Sequence, residues 1–370
     1  MTSDLIETAR NLGQTFALRS AEMDETDGFA LENAAALKAS PLLAAGVPRE
    51  LGGGGADGAE LGAMLTELGR HCGSTALWFS MHTHQVAAAA WRLRHVAAPT
   101  GPLLTRVAQD RVLLMSSGGS DWLQGSGRAE RVEGGYRIHG RKVFASGAPA
   151  GDLLLTCAVD ADAEGGPQVL HFAVPMKADG VRIEPCWQAM GMRGTGSHDV
   201  VLDGFFLADG AVSGRRPSGP WHPLFHIISM VAFPLVYSAY LGVALAARDK
   251  ALSMLAGRQP DPHLIAAVGE METELSLATM AVERMQHLSV TAKPGPATTN
   301  AIFQARTLAA RGMIASVTKA MDAVGGAGFR RAAGLERLFR DIQGTRFHPL
   351  TTRPQAEMSG RLALGLSIDA

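Results

Sequence analysis

The stretch RAERVEGGYRIHGRKVFASG (128–147) decides how this chain is organised. It reads as a hairpin over 128–144 with Gly134-Gly135 at its tip, a pair that permits the left-handed conformations of a tight turn. Strand texture spreads outward from it, from about 112 to 212. Residues 112–116 are a short apolar run, and 152–159, 168–174 and 200–207 are strand-length ones. On both sides the texture is helical. Upstream, Leu5, Ala9, Leu12 and Phe16 recur at spacings of three and four, and Ser40-Pro41 reads as an N-cap followed by proline at the first helical position. The glycine run 52–55 precedes a helix over about 57–70, and an alanine-rich helix over about 74–94 carries His82 and His84. Downstream, long helices are expected over about 224–256, 262–293 and 298–324, punctuated by Asp261-Pro262 and Lys293-Pro294-Gly295-Pro296. The expected units are an N-terminal helical domain (1–111), a central β domain (112–213) and a C-terminal helical bundle (214–370), an α+β arrangement.

Composition narrows the function classes. Hydrophobic residues make up 46% and charged residues 19% of the 370, enough for a large core and too apolar for disorder. Lys+Arg is 34 against 35 Asp+Glu, so neither a nucleic-acid partner nor a polybasic membrane anchor is expected. Cys72, Cys157 and Cys186 are far apart, which supports no disulfide framework, no metal site and a reducing cytoplasm. The first helical stretch carries Asp4, Glu7, Arg10 and Arg19 and does not read as a signal peptide. The apolar region 227–247 is interrupted by Pro234, Tyr237 and Tyr240 and reads as a buried helix, not a membrane span.

Motifs in order along the chain carry a resemblance. GVPRELGGGG (46–55), GGSD (118–121), YRIHGRKVFASG (136–147), GMRGTGS (191–197), AVGGAGFRR (323–331) and LERLFRD (335–341) are similar to successive motifs of the acyl-CoA dehydrogenase superfamily. The superfamily's fold is an N-terminal helical domain, a central β-barrel-like domain and a C-terminal four-helix bundle that packs into homodimers or homotetramers. The resemblance implies a flavin cofactor, FAD or FMN, and an acyl-thioester or other small-molecule substrate. By position it implies flavin contacts at Ser116, Ser117, Ser120, Phe144, Ala145, Ser146 and Thr351. Ser146 keeps a hydroxyl where the family has Thr, and Phe144 stands in for Trp. Gly325 and Gly326 fall in the family's dinucleotide loop. Arg258 survives from an R-x-x-F-G motif whose Phe-Gly is here Asp261-Pro262, which leaves room for FMN. Arg193, Thr195 and Ser197 are candidates to line the flavin or substrate. Arg306 and Arg311 are in reach of a phosphate but read first as solvated or ion-paired.

One departure bears on the chemistry. A dehydrogenase of this family needs a carboxylate beside the substrate carbon, with its pKa raised by a dry pocket. The family places a Glu eight residues after its R-D pair, and there RFHPLTT (346–352) offers Pro349. An alternative position on the first long C-terminal helix offers Ala232. Beside the vacancy stands His348, and the superfamily's flavin-dependent monooxygenase branch has a similar histidine facing the flavin. That branch takes reduced flavin from a separate reductase and oxygenates its substrate. The expected catalytic set is therefore His348 and Ser146 with His84, since a helix turns His82 and His84 in different directions. The alternatives are an acyl-CoA or acyl-carrier-protein dehydrogenase with another base, and a catalytically silent thioester-binding protein. His222 and His226 receive no role.

Overall fold

The computed structural model describes residues 2–117, 119 and 121–369. Six helices come first: α1 (Thr2–Ala17), α2 (Ser20–Thr26), α3 (Leu31–Ala39), α4 (Gly58–His71), α5 (Gly73–Val96) and α6 (Gly101–Gln109). The start of α4 is chemically set. Asp57 accepts from the backbone N–H groups of Ala59 and Glu60, while Glu60 reaches back to the N–H of Asp57. Ser40 accepts from the N–H of Leu42 as expected, but it opens a single 3₁₀ turn, Pro41–Ala44.

Eight strands follow: β1 (Leu114–Ser116), β2 (Arg128–Val132), β3 (Gly135–Ala145), β4 (Leu153–Asp160), β5 (Gln168–Pro175), β6 (Val181–Glu184), β7 (His198–Ala208) and β8 (Gly214–Pro217). The hairpin is β2–β3. Its turn is Glu133-Gly134, with Gly134 at φ 73°, and Gly135 already pairs with Val132. The sheet order is β6-β7-β3-β2-β4-β5-β8, with β1 running parallel beside β4. The expected barrel-like domain is an open, mixed sheet. Its end strands β6 and β8 do not pair with each other, and they are short and charged, with Arg182, Glu184, Arg215 and Arg216. Strand β8 also lies beyond residue 213, where the β unit was expected to end.

The C-terminal helices are α7 (Pro223–Leu255), α8 (Pro262–Thr291), α9 (Pro296–Val324), α10 (Leu335–Ile342) and α11 (Thr352–Ala363). They share one continuous apolar core. Helix α7 is long and apolar enough to cross a membrane, but 94% of its most apolar stretch is buried inside the fold, so it is a core helix. It also docks the N-terminal helices. A Cβ on Gly69 of α4 would sit 2.3 Å from the carbonyl oxygen of Ala239, and one on Gly242 of α7 would sit 2.2 Å from that of Thr66. The two helices therefore meet backbone to backbone, which only glycine allows.

Candidate active site

At the end of β3 the pairing with β7 slips between Lys142 and Ala145. This irregularity re-aims side chains. Ala145 is fully buried, whereas Phe144, at φ 56°, stands 58% exposed with Trp187 edge-on at 6.1 Å. Beyond it the Ser146 hydroxyl meets Ser197 at 2.7 Å, and Ser197 meets Thr195 at 2.7 Å. Three sequence candidates thus form one hydroxyl row. Arg193 does not join it. Its donors go to the carbonyls of Ala189 and Asp24, beside the carboxylates of Asp24 and Asp27, so it ties the 191–197 loop to α2.

The second half of the site is the loop holding His348. Its Nε2 lies 2.9 Å from the hydroxyl of Tyr240. Tyr237, one turn earlier on α7, donates to the carbonyl of Thr345 at 2.7 Å. Arg306 on α9 donates to the carbonyls of Thr345 (3.0 Å) and His348 (2.8 Å), and its guanidinium lies over the Tyr237 ring. A Cβ on Gly344 would sit 2.5 Å from the Tyr240 hydroxyl, so glycine there lets the phenol reach the imidazole. The sequence reading had treated Tyr237 and Tyr240 only as interruptions of an apolar helix. Their three-residue spacing, opposite a loop histidine, was the available signal.

Burial pulls the pKa of His348 down to about 3, aided by the charges of Arg306 and His84. Burial pushes Tyr240 up. Both are therefore neutral at neutral pH. Among the described residues the phenol O–H has no other acceptor, and a buried donor left unpaired costs about 1–3 kcal/mol. Tyr240 therefore donates to Nε2, which leaves the ring proton of His348 on Nδ1. No carboxylate is among the charges acting on this imidazole. Pro349 and Ala232, the residues expected at the family's two base positions, carry no titratable group, and Glu357 is exposed on α11. Asp341 is buried, with its pKa raised to about 6 by that burial, and it accepts from the N–H of Met192.

The two histidines of α5 are both buried, against the expectation that at most one faces inward. His82 is a core anchor: its Nε2 meets the carbonyl of Leu43 at 2.8 Å, and its Nδ1 accepts from the N–H of Leu114 at 3.0 Å. His84 is the one close enough to oppose protonation of His348. Both have pKa values lowered to about 4 by burial. Trp78 of α5 packs against Gly147, and six residues of helix place His84 about 9 Å further along. From the other side, Trp187 donates to the carbonyl of Met192, whose N–H is held by Asp341 just before the His348 loop. These contacts connect the Phe144–Ser146 strand end to His348.

Four histidines with depressed pKa values set a pH dependence. His82, His84 and His171 sit near 4 and His348 near 3, mainly through burial, against 6.5 when unfolded. The unfolded chain therefore binds more protons than the folded one as pH falls from 6.5 toward 4. Stability drops through that window, by up to about 1.4 kcal/mol per pH unit for each group. Asp341 opposes this as a single group. The thermal midpoint is expected to fall between pH 7 and pH 5; a midpoint that is level or rises over that range would contradict the burial of these rings.

Beneath the strand end lies a charged hub. Lys142 is fully buried, and its ammonium contacts both oxygens of Asp121 at 3.2 Å, Ser126 O and Oγ at 2.8 and 2.9 Å, and Cys157 O at 2.5 Å. Asp121 also accepts from the hydroxyls of Ser117, Ser126 and Thr156. Ser117, expected at the flavin, thus belongs to this hub, and Ser116 ends β1. Ser120 lies outside the described residues. Next to the hub, Trp122 packs among Trp221, Phe225, Phe233 and Phe303, and its buried indole N–H has no acceptor among the described residues. Phe233 is one turn from Tyr237, so this aromatic wall adjoins the histidine loop.

The remaining candidates are dispersed. Thr351 is exposed at the N-cap of α11. Arg258 is exposed after α7, and Gly325 and Gly326 are exposed after α9. His222 caps α7 by accepting from the N–H of Leu224, and His226 meets the Thr299 hydroxyl at 2.8 Å, so both are structural.

A planar, polar-edged heterocycle fits what is present. The strand end offers an exposed aromatic face beside a hydroxyl row, the loop offers an uncharged imidazole, and the Nε of buried Arg306 has no acceptor among the described residues. Acyl-CoA dehydrogenase domain descriptions match in chain order: the N-terminal domain over 2–93, the middle domain over 116–205 and the C-terminal domain over 235–353. A dibenzothiophene monooxygenase of Mycolicibacterium goodii is 27% identical, covering 96% of this chain and 92% of its own. A putative acyl-CoA dehydrogenase, YdbM, of Bacillus subtilis (strain 168) is 26% identical over 93% and 92%. The solved structure of KijD3 with FMN and an amino-keto sugar nucleotide superposes with a TM-score of 0.92 at 25% identity, covering 100% of this chain and 95% of that one. The chain belongs to the acyl-CoA dehydrogenase family, as a flavin-dependent oxidoreductase.

Proposed function

We propose that this chain is the oxygenase component of a two-component flavin-dependent monooxygenase, supplied with reduced flavin by a separate reductase. The observation that carries the reading is the neutral His348–Tyr240 pair, with Pro349 and Ala232 at the two base positions. An uncharged imidazole with a pKa near 3 is a poor base for a carbon acid, whose removal calls for a base poised near the working pH. It is well suited to hold one proton at Nδ1 as a hydrogen-bond donor. When bound, the reduced flavin supplies the electrons and the site of oxygen activation. Phe144 would pack against the ring, Ser146 and Ser197 would present hydroxyls to it, and His348 and His84 would supply uncharged ring nitrogens to the substrate.

The aromatic wall around Trp122 supports an apolar, flat substrate with a hydrogen-bond acceptor for the indole N–H. Sulfur and amine oxidation are the chemistries of interest, because the relatives' names describe a dibenzothiophene monooxygenase and an amino-sugar complex. Exposed Ile265, Met280 and Val290 on α8 and Leu308 on α9 support a homodimer or homotetramer through the bundle. Three unpaired cysteines support a reducing, cytoplasmic setting.

The test uses purified protein with FMN, a reductase, NADH and either dibenzothiophene or an amino sugar nucleotide. Oxygenated product is expected only when reduced flavin and oxygen are both present. Bleaching of bound flavin by an acyl-CoA without oxygen would instead favour the dehydrogenase reading.

A further inference from the structure

Arg216 lies on the four-residue edge strand β8, between exposed Arg215 and Pro217, yet it is 1% exposed. A buried guanidinium is costly unless its donors are met, and an apolar side chain would fill the same space at less cost. Arg216 has no ion pair among the described residues; Asp121, whose charge acts on it, is paired with Lys142. Its donors go elsewhere. One terminal nitrogen donates to the carbonyl of Trp122 at 2.9 Å, and the other to the carbonyls of Leu123 and, at 3.2 Å, Pro217. Nε donates to Nε2 of His171 on β5 at 3.1 Å. Burial pulls the pKa of His171 down to about 4, aided by Arg216, His222 and Arg92 and opposed by Asp121, so this imidazole is an uncharged acceptor at neutral pH.

The segment that Arg216 grips lies between β1 and β2 and is a turn with no strand or helix of its own. Backbone bonds from Gly125 to the carbonyl of Trp122 and from Gly219 to that of Leu123 accompany the grip. The guanidinium also lies 4.6 Å from the ring centroid of Phe225, and Phe225 stacks with Trp122 at 5.1 Å. Arg216 therefore holds both the backbone of Trp122 and the ring on which its indole rests. Its planar fork makes this possible; a lysine ammonium is a point charge and cannot reach all these acceptors at once. From Trp122 the aromatic wall runs through Phe233, at 6.4 Å, to Tyr237, whose ring lies 6.2 Å from that of His348.

We propose that Arg216 is a positioning residue for substrate binding, fixing the Trp122 ring so that its face and its indole N–H meet the substrate. The proposal rests on the reading of the Trp122 wall as the substrate side. It adds the element that sets the wall's shape: an edge strand of the β domain, reaching across to α7.

The first test needs no turnover. The difference in near-ultraviolet circular dichroism between the parent and Trp122→Leu isolates the signal of the fixed Trp122 ring. In Arg216→Lys that signal is expected to be largely lost while the far-ultraviolet spectrum is kept. The second test follows oxidation of dibenzothiophene with FMN, a reductase and NADH. Arg216→Lys is expected to raise KM about tenfold, the worth of a hydrogen bond or two, with kcat little changed. In a Trp122→Leu background the same substitution is expected to add nothing to KM, because the residue it acts through is gone. His171→Leu removes only the acceptor of Nε and is expected to shift signal and KM the same way by a smaller factor; His171→Gln returns an acceptor and is expected to restore both. A Trp122 signal that persists in Arg216→Lys, or KM effects of the two substitutions that simply add, would overturn the positioning role. A lost signal with an unchanged KM would overturn the substrate-side reading of the wall and leave the grip on Trp122 standing.

Discussion

His348→Ala is expected to lower product formation by roughly 10²- to 10⁴-fold, the contribution of a positioned proton donor or acceptor. Reduced flavin is still consumed in the variant, but oxygen is released as hydrogen peroxide in place of product. FMN affinity changes little, because the imidazole contributes its ring proton and not the anchoring contacts. Tyr240→Phe supplies the control for the hydrogen bond at Nε2. Removing the phenol frees the ring to adopt either tautomer, so product formation falls while the fold, built on the tyrosine ring, persists. Product yield per flavin oxidised is the measurement. An unchanged yield in His348→Ala would remove the proposed role of this residue.

Lys142→Met is the second large effect. The ammonium is fully buried and answers the carboxylate of Asp121, two backbone carbonyls and a hydroxyl. Methionine matches its length but leaves Asp121 as a buried, uncompensated charge, a loss of about 3–5 kcal/mol. For a chain this size that corresponds to a fall of roughly 4–6 °C in thermal midpoint. The double variant Lys142→Met with Asp121→Asn recovers much of it, since an amide no longer carries the charge. Thermal unfolding followed by circular dichroism measures both. A single variant as stable as the parent would show that the hub is solvated in solution. The hub also braces the segment that leads from β1 to Trp122, so flavin binding is expected to weaken in the single variant.

Much of this was legible along the chain because it is local. Hairpin β2–β3 announces itself by its glycine turn, α4 by its aspartate cap, and α7 to α9 by apolar length between Pro-containing breaks. Helical geometry alone sets His82 and His84 on different sides of α5, but it did not reveal that both are buried. What was not legible is non-local. Tyr240 gains its meaning from a histidine 108 residues away, and Lys142 from carbonyl and hydroxyl groups spread over 31 residues of folded sheet and loop. Arg193 was expected by motif to line the flavin or substrate, yet Asp24, 169 residues earlier on α2, and Asp27 at that helix's end occupy it. How far the barrel-like sheet closes was not legible for a similar reason: whether two short charged edge strands meet depends on the whole sheet's geometry, not on either strand.

The most direct test of the central claim is turnover with ¹⁸O₂, set beside an anaerobic acyl-CoA titration of the FMN-loaded protein. The account predicts one ¹⁸O atom in the product of a sulfur- or nitrogen-bearing substrate, only when reduced FMN is supplied, and no bleaching of the bound flavin by acyl-CoA. Anaerobic bleaching with formation of an α,β-unsaturated thioester would contradict it, because that reaction needs a base which the neutral His348–Tyr240 pair does not provide.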